Sequence, residues 1–169
     1  MNEWLLIPIL FFGWCALKLV RQEGFFVPLP MGTVRQMLKL ARIKKGDVLY
    51  DLGSGDGRVV IEAARAYGVK AVGIESWYFA YIISKIRLKL SGVSDRVKIV
   101  KNDMFKEDLS EATVVTLYLT AKLNRLLKPK LEKELKRGTR VVSAAHEMPG
   151  WKPVQKIKTG HFWTYLYKI

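Results

Sequence analysis

Glycines interleaved with carboxylates mark the stretch of this chain best equipped for chemistry. Residues 48–58 read V-L-Y-D-L-G-S-G-D-G-R, an apolar run that gives way to a Gly-rich turn with Asp51 ahead of it and Asp56 inside it. Gly53 and Gly55, with Ser54 between them, let a backbone turn tightly and approach a ligand closely, as a side chain would not. A dinucleotide loop carries Gly-x-Gly-x-x-Gly and seats a pyrophosphate on a helix N-terminus. This loop has Gly-x-Gly-x-Gly, and its two carboxylates would repel a diphosphate. They suit a ligand that carries an ammonium and a sulfonium charge.

Two further acidic positions sharpen that reading. Glu75 closes a second apolar run, 24 residues after Asp51, where a carboxylate can accept both hydroxyls of a ribose; Ser76 and Trp77 follow it. Asn102-Asp103-Met104 comes after a third run. There an acid can take the adenine amino group while an apolar neighbour covers the ring. Three strand ends thus converge on one adenosyl pocket. The expected cofactor is S-adenosyl-L-methionine, with S-adenosyl-L-homocysteine as product. Its expected binding residues are Asp51, Gly53, Ser54, Gly55, Asp56, Glu75, Ser76, Trp77, Asn102, Asp103 and Met104.

The elements that must position these residues alternate. After Pro28 and Pro30 a helix begins at Thr33, with Val34, Met37, Leu38 and Ala41 on one face. Strands are expected at Asp47–Asp51, Lys70–Ile74, Val97–Lys101, Thr113–Tyr118 and Thr139–Ser143. Helices are expected at Gly57–Tyr67 with Gly68 as its C-cap, at Trp77–Leu90, and at Ala121–Leu135 with Pro129 inside. Trp151–Ile157 and Phe162–Tyr167 read as two strands with no helix between them, an antiparallel hairpin. Alternation of this kind makes a parallel sheet covered on both faces. The predicted architecture is therefore α/β: a doubly wound, Rossmann-like methyltransferase sheet of seven mostly parallel strands, with an antiparallel C-terminal hairpin and an apolar N-terminal helix. Residues 1–21 form that helix, 22–32 a linker and 33–169 the cofactor-binding domain. Tyr118, ending the fourth strand, stands where methyltransferases line the acceptor channel, and Asn124 is a second, polar candidate for the catalytic side.

Composition bounds the rest. One cysteine, Cys15, excludes an intrachain disulfide or a Cys-based zinc site, and two histidines make a His-rich metal centre implausible, so no metal is expected. The net charge is +14. Lys18 and Arg21 cancel Glu3 and Glu23 in residues 1–30, so the excess lies in the domain, where it favours anionic neighbours: nucleic acid, acidic lipid headgroups or an acidic protein face. Trp4–Leu17 is free of charge and reads as a transmembrane helix, with a buried packing helix as the alternative. Lys18 could snorkel to lengthen it. A spanning segment would leave the basic domain on the cytoplasmic side; otherwise the protein is expected in the cytoplasm. Oligomeric state is not legible here.

Asp51–Arg58 (D-L-G-S-G-D-G-R), together with Val27–Pro30 (V-P-L-P), the L-Y-L…N run at Leu117–Asn124, Gly138–Ser143 (G-T-R-V-V-S) and Pro149–Trp151 (P-G-W), resemble one group of class I (seven-β-strand) methyltransferases. It comprises the small lysine N-methyltransferases: broad-specificity archaeal enzymes and the mitochondrial enzymes that act on the ATP synthase c-subunit and the adenine nucleotide translocase. The resemblance runs from about Val27 to Trp151. It implies in-line methyl transfer to a desolvated lysine amine of a protein substrate. The sequence departs from the group at Leu29, usually Thr, and at Ala144, Ala145 and His146, which replace a His-acidic-Phe triplet. The rival readings are an RNA or small-molecule methyltransferase and a non-catalytic adenosyl-binding membrane scaffold.

Overall fold

A computed structural model describes residues 27–169 together with Pro8 and Gly13. In chain order the elements are α1 (Met31–Leu40), β1 (Val48–Leu52), α2 (Arg58–Tyr67), β2 (Lys70–Glu75), α3 (Tyr78–Lys89), β3 (Val97–Lys101), β4 (Val114–Leu117), α4 (Ala121–Glu134), β5 (Arg140–Ala144), β6 (Gln155–Thr159) and β7 (Phe162–Lys168). The strands form one seven-stranded sheet in the order β3-β2-β1-β4-β5-β7-β6. Its first five strands run parallel, and β7 is antiparallel to both β5 and β6. The seven-stranded, mostly parallel sheet with its antiparallel hairpin is the one the sequence predicts.

Period-two alternation sorts the core into two layers. Leu49, Val114, Val142 and Leu166 face one side, where they pack with Val34, Met37 and Leu38 of α1, Val60 and Ala64 of α2, and Leu88 of α3. Tyr50, Leu52, Val115, Leu117 and Val141 face the other, against Leu127 and Leu131 of α4. Three helices therefore cover one face and α4 lies on the opposite one. Thr120 caps α4 by accepting a hydrogen bond from the Leu123 amide at 3.3 Å.

Differences from expectation have local causes. α1 starts at Met31 rather than Thr33, with Pro30 in the N-cap position, where the missing N–H is no loss. β6 begins at Gln155 rather than Trp151: the Trp151 amide closes a turn onto the Met148 carbonyl, and Pro153 has no N–H for a ladder. The expected linker ends docked, since Leu29 is buried and its carbonyl accepts a hydrogen bond from Arg58.

The transmembrane helix expected in residues 1–21 is not upheld. Among the described residues no helix is long and apolar enough to cross a membrane. The segment itself lies outside those residues except for Pro8 and Gly13. Its shortfall is length: Trp4–Leu17 holds 14 residues, roughly 21 Å of helix at about 1.5 Å per residue, against a hydrocarbon core of about 30 Å.

Candidate active site

The Gly-rich turn lies over the carboxyl ends of β1 and β2. Amides of Gly53 and Ser54 both donate to the Ile74 carbonyl at 2.9 Å, which pins the turn to the neighbouring strand. Two glycines make this approach possible. Gly53 has φ +76°, and a Cβ there would sit 3.0 Å from Leu119 Cδ2. Gly73, within β2, lies directly beneath the turn, and a Cβ would come within 2.8 Å of Ser54 Oγ. Gly73 was not among the expected site residues; a glycine inside a strand is the signal that marks close backbone approach.

Glu75 is buried at the end of β2, and each carboxylate oxygen already accepts one backbone hydrogen bond. Oε2 accepts from the Gly55 amide and Oε1 from the Trp77 amide, both at 2.7 Å. These fix its orientation. A carboxylate offers about four lone-pair sites, so two remain for hydroxyl donors. The Asn102 amide donates to the Glu75 carbonyl at 3.2 Å, bringing the end of β3 alongside. Asn102 is engaged locally, its Nδ2 donating to Glu107 Oε2 at 2.7 Å. Asp103 Oδ1 accepts from the Phe105 amide at 3.0 Å in a turn, and no hydrogen bond reaches Oδ2 among the described residues. Half-buried Met104 packs on the core beside it. Trp77 is half-buried with its ring edge-on to Phe79, and Ser76 is exposed.

The two aspartates of the turn have different surroundings. Asp51 is buried, accepts from Thr116 Oγ1 at 2.7 Å, and has no cationic partner among the described residues. Burial pushes its carboxyl up to about 7; the Thr116 hydrogen bond opposes that rise, and the nearby charges of Glu75 and Asp56 add to it. Asp56 was expected beside the cofactor but faces the arginines. Arg58 Nη2 lies 2.6 Å from its Oδ2, and Arg87 bonds the same oxygen. Burial works to raise Asp56, yet the Arg58 hydrogen bonds and the charges of Arg58 and Arg87 outweigh it and hold the carboxyl below its ordinary range. Its negative charge is neutralised within the protein.

Tyr118, expected to line an acceptor channel, follows the end of β4 and stacks on Phe162 of β7, with ring centroids 5.7 Å apart and planes 24° from parallel. Phe162 was not foreseen, because only the sheet order brings β7 toward β4. Asn124, the second, polar candidate for the catalytic side, is fully buried. Its Nδ2 donates to Ser143 Oγ at 3.1 Å and to the carbonyls of His146 and Glu147 at 3.2 and 3.3 Å. It braces the turn after β5, where Ala145 adopts φ +69°, a left-handed conformation uncommon for a residue with a Cβ. Asn124 Oδ1 and Ser54 Oγ are buried without a hydrogen-bond partner among the described residues.

This donor set fits S-adenosylmethionine. It offers a buried carboxyl lacking a cation, a carboxylate with two acceptor sites left over, an unpartnered hydroxyl on the glycine turn and an unoccupied Asp103 oxygen beside a methionine.

Comparison with known proteins supports the fit. The sequence model of the ANTKMT methyltransferase domain matches residues 51–155. A protein-lysine N-methyltransferase of Saccharolobus islandicus (strain REY15A) is 47% identical over 149 residues, covering 85% of this chain and 92% of that protein. The adenine nucleotide translocase lysine N-methyltransferase of Mus musculus is 33% identical over 78% of this chain, which spans only 58% of the mouse protein. Among solved structures, an RNA methyltransferase from Salinibacter ruber in complex with S-adenosyl-L-homocysteine superposes with a TM-score of 0.83 at 44% identity, over 85% of this chain and 94% of that one. The chain belongs to the ANTKMT methyltransferase domain family and is an S-adenosylmethionine-dependent methyltransferase.

Proposed function

We propose that this methyltransferase acts on the side-chain amine of lysine in a protein substrate. The observation that carries the reading is the likeness to the Saccharolobus islandicus protein-lysine N-methyltransferase along nearly its whole length, joined to a pocket whose buried Asp51 lacks a positive partner among the described residues.

Glu75 would accept the ribose hydroxyls on the lone pairs its backbone contacts leave open, Asp103 would accept from the adenine amino group beside Met104, and Asp51 would offset the cofactor's positive charge. When bound, S-adenosylmethionine supplies a methyl group activated by its sulfonium. The chain's own task is alignment and exclusion of water. A lysine amine has a reference pKa of about 10.4 and must be neutral to attack. The stacked pair of Tyr118 and Phe162 would exclude water from the amine, and that desolvation disfavours the ammonium form. Asn124 acts at one remove, holding the turn after β5 in place.

Labelled S-adenosylmethionine, incubated with the protein and a cell lysate, tests this. Label that survives ribonuclease, is lost to protease and maps by mass spectrometry to lysine is the expected result. Label lost to ribonuclease would establish RNA as the acceptor, a second reading favoured by the likeness to the Salinibacter ruber RNA methyltransferase and by the +14 charge.

A further inference from the structure

Helix α3 turns an apolar face to solvent. Phe79 is 65% exposed, Ile83 48%, Ile86 57% and Leu90, at the helix C-cap, 81%, with Tyr78 and Ile82 beside them. At ~100° per residue these six side chains sweep an arc of roughly 140°. Ala80, Ser84 and Leu88 occupy the opposite side, against the sheet. A soluble helix of this kind normally presents its charged face outward. Here the basic residues sit at the borders of the exposed apolar arc, Lys85 and Lys89 along one edge and Arg87 along the other, and α3 contains no acidic residue. The arc continues into a groove of about 760 Å³ between α1, α2 and α3, lined by Met31, Ile61 and Ile83 and by four arginines against one acid, Glu62. Glu62 is paired with Arg35, Asp56 is shared by Arg58 and Arg87, and among the described residues Arg65 bonds only the neutral Ser91 carbonyl, so the groove keeps a net positive charge.

We propose that α3 and this groove form a docking surface for an anionic lipid bilayer, with the apolar arc seated at the headgroup boundary and Lys85, Lys89, Arg65 and Arg87 on acidic headgroups. Interfacial helices have this composition, a large aliphatic and aromatic face bordered by Lys and Arg. Charge complementarity decides between occupants. A second copy of the chain would bring the same basic borders together. The N-terminal apolar stretch brings Lys18 and Arg21 along with Glu3 and Glu23, so it offers those borders no net negative charge. A bilayer with acidic headgroups supplies both the apolar seat and the anions. Because α3 begins three residues after Glu75, a chain docked this way holds the mouth of the cofactor pocket near the lipid surface.

The test is co-sedimentation of the full chain with phosphatidylcholine vesicles, with and without phosphatidylglycerol. Binding should be at least tenfold tighter with phosphatidylglycerol and weaken as salt is raised. Ile83→Glu with Ile86→Glu should reduce it at least tenfold. Lys85→Glu with Lys89→Glu should do the same, at about fivefold per basic residue removed. Affinity for S-adenosylhomocysteine, measured on each variant, should be unchanged; this confirms folding and separates lipid docking from the methyltransferase reading. Equal binding to both vesicle types, binding by the variants as tight as the parent's, or no binding at all would overturn the proposal. So would a dimer in sedimentation equilibrium that Ile83→Glu with Ile86→Glu dissociates, because the face would then belong to a second copy.

Discussion

Asp51 holds a carboxyl that solvent scarcely reaches and that no cation offsets. Its folded value of about 7 lies above the ordinary 3.8. The empty protein therefore keeps this group's stabilising contribution in full below about pH 4 and loses it as pH rises through 7. A positively charged ligand favours the ionised form. Affinity for S-adenosylmethionine should rise between about pH 5.5 and 7 and level off above, with a proton released on binding, as calorimetry in buffers of different ionisation enthalpy would record. Asp51→Asn keeps an acceptor for Thr116, and should flatten that pH profile and weaken binding. Glu75→Ala should weaken the same affinity by about 1–3 kcal/mol through lost hydrogen bonds. Unchanged affinity would remove Glu75 from the ribose site.

At the scale of elements, alternating apolar runs made the sheet legible from sequence, because a parallel strand buried on both faces leaves a continuous Val/Ile/Leu signature. The Gly-rich turn and Glu75 were legible for a related reason: a close backbone approach and a strand-end carboxylate are local features. The pairing of Asp56 was not legible because its partners Arg58 and Arg87 lie on two different helices, and only packing reveals that they converge on one oxygen. The burial of Asn124 was hidden for the same reason. Its helix, α4, meets the turn after β5 across 22 residues of sequence, a contact no periodicity encodes. That contact makes a prediction. Asn124→Ala strips donors from buried carbonyls and should destabilise the protein by ~1–3 kcal/mol. Methyl transfer should fall by a larger factor than affinity for S-adenosylhomocysteine, since the turn it braces lies on the acceptor side. Equal falls in both would mean that Asn124 serves the fold alone.

For the molecule as a whole, the cofactor pocket exists only when β1, β2 and β3 are in register, so ligand binding and folding are linked. S-adenosylhomocysteine at a hundredfold excess over its Kd should stabilise the fold by about 2.7 kcal/mol. A chain of this size should then melt roughly 5–10 °C higher, at ~2–4 °C per kcal/mol. Differential scanning fluorimetry with graded ligand reads this directly, and a melting temperature indifferent to ligand would contradict a preformed adenosyl site.

The placing of β7 matters for how the protein is made. The last of the described strands to be synthesised sits between β5 and β6 in the sheet, and the Ile169 carbonyl takes the Gly138 amide at 2.6 Å while its own amide reaches Thr139. Until Phe162–Lys168 has left the ribosome, β5 presents an open hydrogen-bonding edge that other chains can pair with. Translation stalled or stopped before that strand therefore yields a nascent chain suited to chaperones and proteases rather than a shortened enzyme.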